Sequence, residues 1–153
     1  MTHFDLLLWD VDGTLLDFQA AERQAIRRCF AIFGLGECPD DMLQRYSAIN
    51  QRYWRRLERG ELTKPQVLLG RFEEFFSSEG LPRSLAADFN REYQLRLGDT
   101  VVFRDGADHL LPSLAPRVRQ YAVTNGTLVA QQRKLARSGL DHILDGVFIS
   151  DQI

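Results

Sequence analysis

Leu6-Leu7-Leu8-Trp9-Asp10-Val11-Asp12-Gly13-Thr14-Leu15-Leu16-Asp17 constrains the fold more than any other stretch of this chain. An apolar run of strand length meets two aspartates two residues apart, then a Gly-Thr turn. Leu6 to Trp9 shows no polar alternation, which predicts a strand covered on both faces, as in a parallel sheet. In open α/β sheets the reactive crevice lies beyond the carboxyl ends of the strands, and Asp10 and Asp12 fall at that end. Gly13 lacks a Cβ, so the chain can turn sharply there and leave room for a ligand. An Asp-Gly pair alone serves turn chemistry; the full string is far longer than a turn needs.

Two carboxylates this close repel each other when both are charged. At about 4 Å a unit-charge pair costs roughly 1 kcal/mol in water and roughly 4 at an effective dielectric near 20. Either a bound cation or a proton held by one of the pair relieves this. Mg²⁺ is the natural cation, since hard oxygen ligands and retained waters suit it.

The chain then enters a long region with helical periods and no convincing strand. Asp17 can cap a helix whose stripe is Ile26, Cys29, Phe30 and Phe33, ended by Gly34 and Gly36. After Pro39-Asp40 a second helix places Met42, Tyr46, Ile49, Tyr53 and Leu57 on one face, stopped by Gly60. Thr63-Lys64-Pro65-Gln66 fits a capping box, and opens a helix with Leu68, Leu69, Phe72, Phe75 and Phe76. Ser84 caps a fourth helix carrying Leu85, Phe89, Tyr93 and Leu97, stopped by Gly98. Four helices in succession predict a small bundle, with Phe30, Phe33, Phe72, Phe75 and Phe76 in its core.

Val101-Val102-Phe103 marks the return from that bundle. A short helix with Leu110, Leu111 and Leu114 follows, broken around Pro112 and Pro116. Arg104 reads as an exposed hinge residue and His109 as a helix-surface residue. Tyr121-Ala122-Val123-Thr124-Asn125-Gly126 reads as a strand ending in a hydroxyl, an amide and a glycine turn. A helix from Thr127 to about Ser138 follows, closed by Gly139. A hydroxyl plus free N–H groups at a helix start suits a phosphate oxygen; alone, the triplet is equally a capped helix start. Val147-Phe148-Ile149 is a third core strand. The predicted organisation is an α/β core from 1–16 and 99–153, with 17–98 an inserted helical bundle.

Composition narrows the function classes. A net charge of −2 gives no electrostatic case for nucleic acid or an anionic membrane. No apolar run approaches the roughly 18 residues of a membrane span, and the N-terminus lacks the pattern of a signal peptide. Cys29 and Cys38, without metal-ligand spacing, are expected as reduced thiols of a cytoplasmic protein.

Asp10-Val11-Asp12-Gly13-Thr14-Leu15-Leu16-Asp17 resembles the first motif of the haloacid dehalogenase-like phosphatase superfamily, and Thr124-Asn125-Gly126 resembles its second. The resemblance implies a Rossmann-like parallel sheet with a helical cap over the site. It implies that Asp10 is the nucleophile and forms an aspartyl-phosphate, with Asp12 as general acid/base. It implies that Mg²⁺ is held by Asp10 and Asp12, and that Thr124 and Asn125 bind the transferring phosphoryl group. The chemistry is coherent: a carboxylate attacking a phosphate dianion needs its repulsion offset, and the leaving alkoxide needs a proton.

The superfamily's lysine motif and second acidic motif, expected beyond the third strand, are not found before Ile153. Lys64 and Lys134 have no such motif around them. The expectation is therefore the N-terminal portion of a longer phosphatase, with little turnover of its own and with the Leu6–Trp9 strand left at a sheet edge, its apolar surface and unpaired backbone groups exposed.

Ala48-Ile49-Asn50-Gln51, Trp54, Gly60-Glu61-Leu62-Thr63, Gly70-Arg71-Phe72-Glu73 and Leu135-Ala136-Arg137-Ser138-Gly139-Leu140 are similar to the pyrimidine 5′-nucleotidase branch, which also dephosphorylates noncanonical nucleotides. That resemblance implies a small-molecule phosphate monoester as substrate, a nucleoside monophosphate. Asn50 and Trp54, at i and i+4, either face the base or serve packing. A phosphoglycolate phosphatase or sugar-phosphate mutase would share every core motif, and a non-catalytic phosphate-binding module stays open. A 2-haloacid dehalogenase would need neither Asp12 as an acid nor Mg²⁺.

Overall fold

A computed structural model of the chain describes residues 6–11, 15–104, 106–114, 116, 118–124 and 127–149. The elements follow in the order β1 (Leu6–Asp10), α1 (Phe18–Phe33), α2 (Asp40–Glu58), α3 (Lys64–Glu79), a 3₁₀ turn (Arg83–Leu85), α4 (Ala86–Asp99), α5 (Ala107–Leu114), β2 (Arg119–Thr124), α6 (Leu128–Ser138), α7 (Leu140–Ile143) and β3 (Gly146–Ile149). The chain divides into two compact units, one of Met1–Ala25 with Gln94–Ile153, the other of Ile26–Tyr93.

The first unit is α/β and Rossmann-like. Its described strands form a parallel sheet in the order β1-β2-β3. Parallel neighbours need long crossovers. Residues 11–118 separate β1 from β2, and α6 and α7 separate β2 from β3. One sheet face is covered. There Ala122 packs with Val11, Leu15, Leu16, Ala107, Leu111, Leu135, Leu140 and Leu144, and Trp9 and Val147 border the same core.

The other face corrects an expectation. The Leu6–Trp9 run predicts cover on both sides, yet Leu6, Leu8, Val123 and Phe148 are exposed, and Tyr121 stacks on Phe148 at 6.0 Å between ring centroids. A continuous apolar run shows only that a strand can be buried, not which faces are. β1 is also an edge of the described sheet, as expected. After it the chain is tied back by an isolated antiparallel bridge between Leu16 and Phe103. Asp17 caps α1 by accepting from the Ala20 N–H at 3.1 Å.

The second unit is helical and built on aromatic rings. Tyr46 stacks on Phe72 at 5.2 Å, and Phe72 and Phe76 each meet Phe89 edge-on at 4.9 Å. α3 starts with the expected capping box, the Thr63 side chain and N–H exchanging hydrogen bonds with Gln66, and ends at Gly80 with φ of 70°. Details here and in α5 differ from the sequence reading. The buried face of α2 is Leu43, Tyr46 and Asn50 rather than the stripe from Met42. Leu69 is exposed, while Val67 and Arg71 are buried. Ser84 sits inside the 3₁₀ turn instead of capping α4. Pro112 lies within α5 and does not break it.

Arg71 is the charged residue at the centre of this unit. Its Nη1 donates to Asn50 Oδ1 at 3.0 Å and its Nη2 to Asn90 Oδ1 at 2.8 Å. The guanidinium also lies 4.7 Å from the Phe72 ring centroid and 5.2 Å from that of Tyr93. Asn50 Oδ1 accepts a second hydrogen bond, from Trp54 Nε1 at 3.0 Å. Amide oxygens and aromatic faces thus replace water around the buried cation.

Candidate active site

β1 ends at Asp10 and β2 at Thr124. The register pairs Asp10 with Val123, so Thr124 lies one residue further along the neighbouring strand. Neighbouring strands run about 4.8 Å apart, so two adjacent chains deliver a carboxylate and a hydroxyl to one edge of the sheet. They do not share a face. Asp10 is exposed, in line with Leu6 and Leu8, whereas Thr124 is buried, in line with Gln120 and Ala122. Strand alternation requires this. The other two expected site residues, Asp12 and Asn125, lie outside the described residues, as do Gly13, Thr14 and Gly126.

The strand that carries Asp10 is fixed to the one that carries Thr124 by a residue the sequence reading missed. Gln120 is wholly buried. Its Oε1 accepts from Trp9 Nε1 at 3.0 Å, and its Nε2 donates to the Leu111 carbonyl at 2.9 Å. Its backbone N–H donates to Asp145 Oδ2 at 2.7 Å, while its carbonyl accepts from the Asp145 N–H at 2.6 Å. One amide side chain therefore links β1, β2 and α5. A lone glutamine at the start of a strand carries no sequence signal of that role.

Beyond Thr124 the chain re-enters helix at α6, with Thr127 as N-cap. The Thr127 hydroxyl oxygen accepts from the Ala130 N–H at 3.3 Å. Lys134, buried in α6, holds its Nζ 5.8 Å from the Phe18 ring centroid, and Lys64 opens α3. Arg104 and His109 are exposed, as expected.

Other nucleophiles are poorly placed. Cys29 and Cys38 are free thiols and both are buried. Burial pushes the Cys38 thiol up to about 11, with Arg27 opposing, so it stays protonated at neutral pH.

Asp10 presents hard carboxylate oxygens, the donor type that Mg²⁺ takes, at an exposed strand end. Among the described residues no group of three or more His, Cys, Asp and Glu side chains is placed to hold a metal ion. Among them, too, no helix is long and apolar enough to cross a membrane.

A hydrolase family model described as haloacid dehalogenase-like hydrolase matches residues 4–153. The chain belongs to the haloacid dehalogenase-like hydrolase family. Within that family it is 34% identical over 151 residues to the HAD-hydrolase YfnB of Bacillus subtilis, covering 99% of this chain and 63% of the relative. It is also 34% identical over 151 residues to the pyrimidine 5′-nucleotidase PynA of Streptococcus pneumoniae, covering 98% of this chain and 63% of that protein. The chain thus spans under two thirds of the length of these curated relatives. The crystal structure of YfnB bound to magnesium superposes with a TM-score of 0.89, over 99% of this chain and 65% of that one. L-2-haloacid dehalogenase from Xanthobacter autotrophicus, 23% identical with a TM-score of 0.68 over 97% of this chain and 58% of that one, shares the fold.

Proposed function

We propose that this haloacid dehalogenase-like hydrolase is part of a Mg²⁺-dependent phosphomonoester hydrolase acting on nucleoside 5′-monophosphates. The observation that carries the reading is the placement of Asp10 at the carboxyl end of β1, one residue out of register with Thr124 at the end of β2. Similarity to a pyrimidine 5′-nucleotidase and to a magnesium-bound hydrolase of the same fold supports the substrate class and the ion.

In this reading Asp10 Oδ attacks phosphorus and the bond from phosphorus to the ester oxygen breaks. Asp12 gives its proton to the departing alcohol, leaving an aspartyl-phosphate on Asp10. Asp12 then takes a proton from water, whose oxygen attacks phosphorus and releases phosphate and the Asp10 carboxylate. Asp10 and Asp12 would hold Mg²⁺, which offsets the negative charge shared by carboxylate and phosphate when bound. Thr124 and Asn125 donate hydrogen bonds to the phosphoryl oxygens. Residues 17–98 serve as the cap that selects the leaving group.

The second aspartate favours this over dehalogenation, which requires no proton for its leaving halide. A screen of phosphate monoesters with Mg²⁺, on the full-length protein and with Asp10→Asn as control, tests the reading. Turnover of a nucleoside monophosphate that the control loses supports it. Turnover of a 2-haloacid in place of any phosphate monoester overturns it.

A further inference from the structure

The last turns of α4 grip α6 at three successive points. Gln94, largely buried, accepts a hydrogen bond from the Thr127 hydroxyl on its Oε1 at 2.6 Å. Gly98 lies so close to α6 that a Cβ there would stand 2.7 Å from Arg133 Cβ and 2.8 Å from the Ala130 carbonyl oxygen. Asp99 accepts from Arg133 Nε and Nη2, both at 2.8 Å, and from Arg137 Nε at 3.1 Å. The sequence reading treats Gly98 only as a helix stop. The helix instead runs through it to Asp99, and the missing side chain is what lets the two helices meet.

A threonine hydroxyl has one proton and two lone pairs. With the proton committed to Gln94, a lone pair of Thr127 is left facing the Ala130 N–H it caps. The orientation of the cap, and so of the first turn of α6, is set from α4. Only two residues separate Thr127 from Thr124.

We propose that Gln94 is a positioning residue for phosphate binding beyond the end of β2, acting through the Thr127 hydroxyl on the first turn of α6. The proposal rests on the phosphatase reading above. A carboxylate at position 94 keeps the acceptor, and a leucine removes it. In the full-length protein, Gln94→Leu speeds hydrogen exchange at Leu128–Gln131 by about tenfold, the scale of a lost helix cap. It raises KM for p-nitrophenyl phosphate by about fivefold while kcat stays within about twofold, as expected when binding common to ground and transition state is lost. Gln94→Glu restores both, and Gln94→Leu with Thr127→Val is no worse than Thr127→Val alone. Unchanged exchange in Gln94→Leu, or equal KM defects in the leucine and glutamate variants, overturns the proposal. Should the parent hydrolyse no phosphate monoester, the phosphatase reading fails and the phosphate role with it. The exchange arm then still decides whether Gln94 sets the start of α6.

Discussion

Trp9 donates its indole N–H to the side-chain oxygen of Gln120 across 3.0 Å, so the residue before Asp10 is anchored to the strand that ends in Thr124. This bond, with the one from Gln120 to the Leu111 carbonyl, lies within the α/β unit and joins elements far apart in sequence. Gln120→Leu leaves the Trp9 N–H and the Leu111 oxygen without their partner. The expected loss is about 1–3 kcal/mol of unfolding free energy, the cost of orphaning buried polar groups. Urea denaturation followed by tryptophan emission measures it.

Gly98→Ala adds only a methyl group, at a position where it meets Arg133 Cβ and the Ala130 oxygen inside 3 Å. In an exposed helix the same change would stabilise, since alanine is the better helix former. Here overpacking wins, and the expected cost is about 1–3 kcal/mol. A raised thermal midpoint would mean that the two helices are not in close contact.

Asp99 titrates with a definite sign. Hydrogen bonds from Arg133, with charge from Arg133 and Arg137, hold its carboxyl below its ordinary value of 3.8, against the opposing effect of burial. A depressed folded-state value contributes stability that is present above the unfolded value and lost as pH falls through the folded one. The stability difference between the parent and Asp99→Asn is therefore constant from neutral pH down to about 5 and shrinks below about 4. A gap that widens in acid would contradict the pairing with Arg133.

Arg71→Lys tests the network of the helical unit. A lysine keeps the charge but cannot reach Asn50 and Asn90 with a planar fork, nor lie flat against Phe72 and Tyr93. A loss of about 1–3 kcal/mol is expected from the charge-assisted hydrogen bonds to Asn50 and Asn90 that a lysine cannot both keep, read by chemical denaturation. No change would show that the guanidinium contributes nothing beyond its charge.

Features legible in the sequence were those set by neighbours along the chain. Asp17 at the start of α1, the Thr63–Gln66 capping box, and Gly80 and Gly139 at helix ends each follow from a hydrogen bond or a positive φ within a few residues. The placement of Asp10 and Thr124 at strand ends was legible for the same reason, because an apolar run stops and polar turn residues begin. What the sequence concealed depends on distant partners. Gly98 owes its identity to α6, about thirty residues away in sequence, and Gln120 owes its burial to Trp9 and Leu111. The open face of β1 was not legible in the apolar run itself, because Leu6 and Leu8 look the same in sequence whether or not anything packs on them; the exposed apolar surface fits the strand's expected place at a sheet edge. The stripe from Met42 was misplaced by one helical step, since Asn50 is buried by its bonds to Arg71 and Trp54 rather than by hydrophobicity.

Single-turnover and steady-state hydrolysis of nucleoside 5′-monophosphates with Mg²⁺, by the full-length protein and its Asp10→Asn variant, bears most directly on the whole account. The parent is expected to turn over at least one such nucleotide through a phosphorylated Asp10, and the variant to lose about a thousandfold or more in kcat. A variant that keeps the parent's rate would show that the carboxylate ending β1 is not the group that takes the phosphoryl.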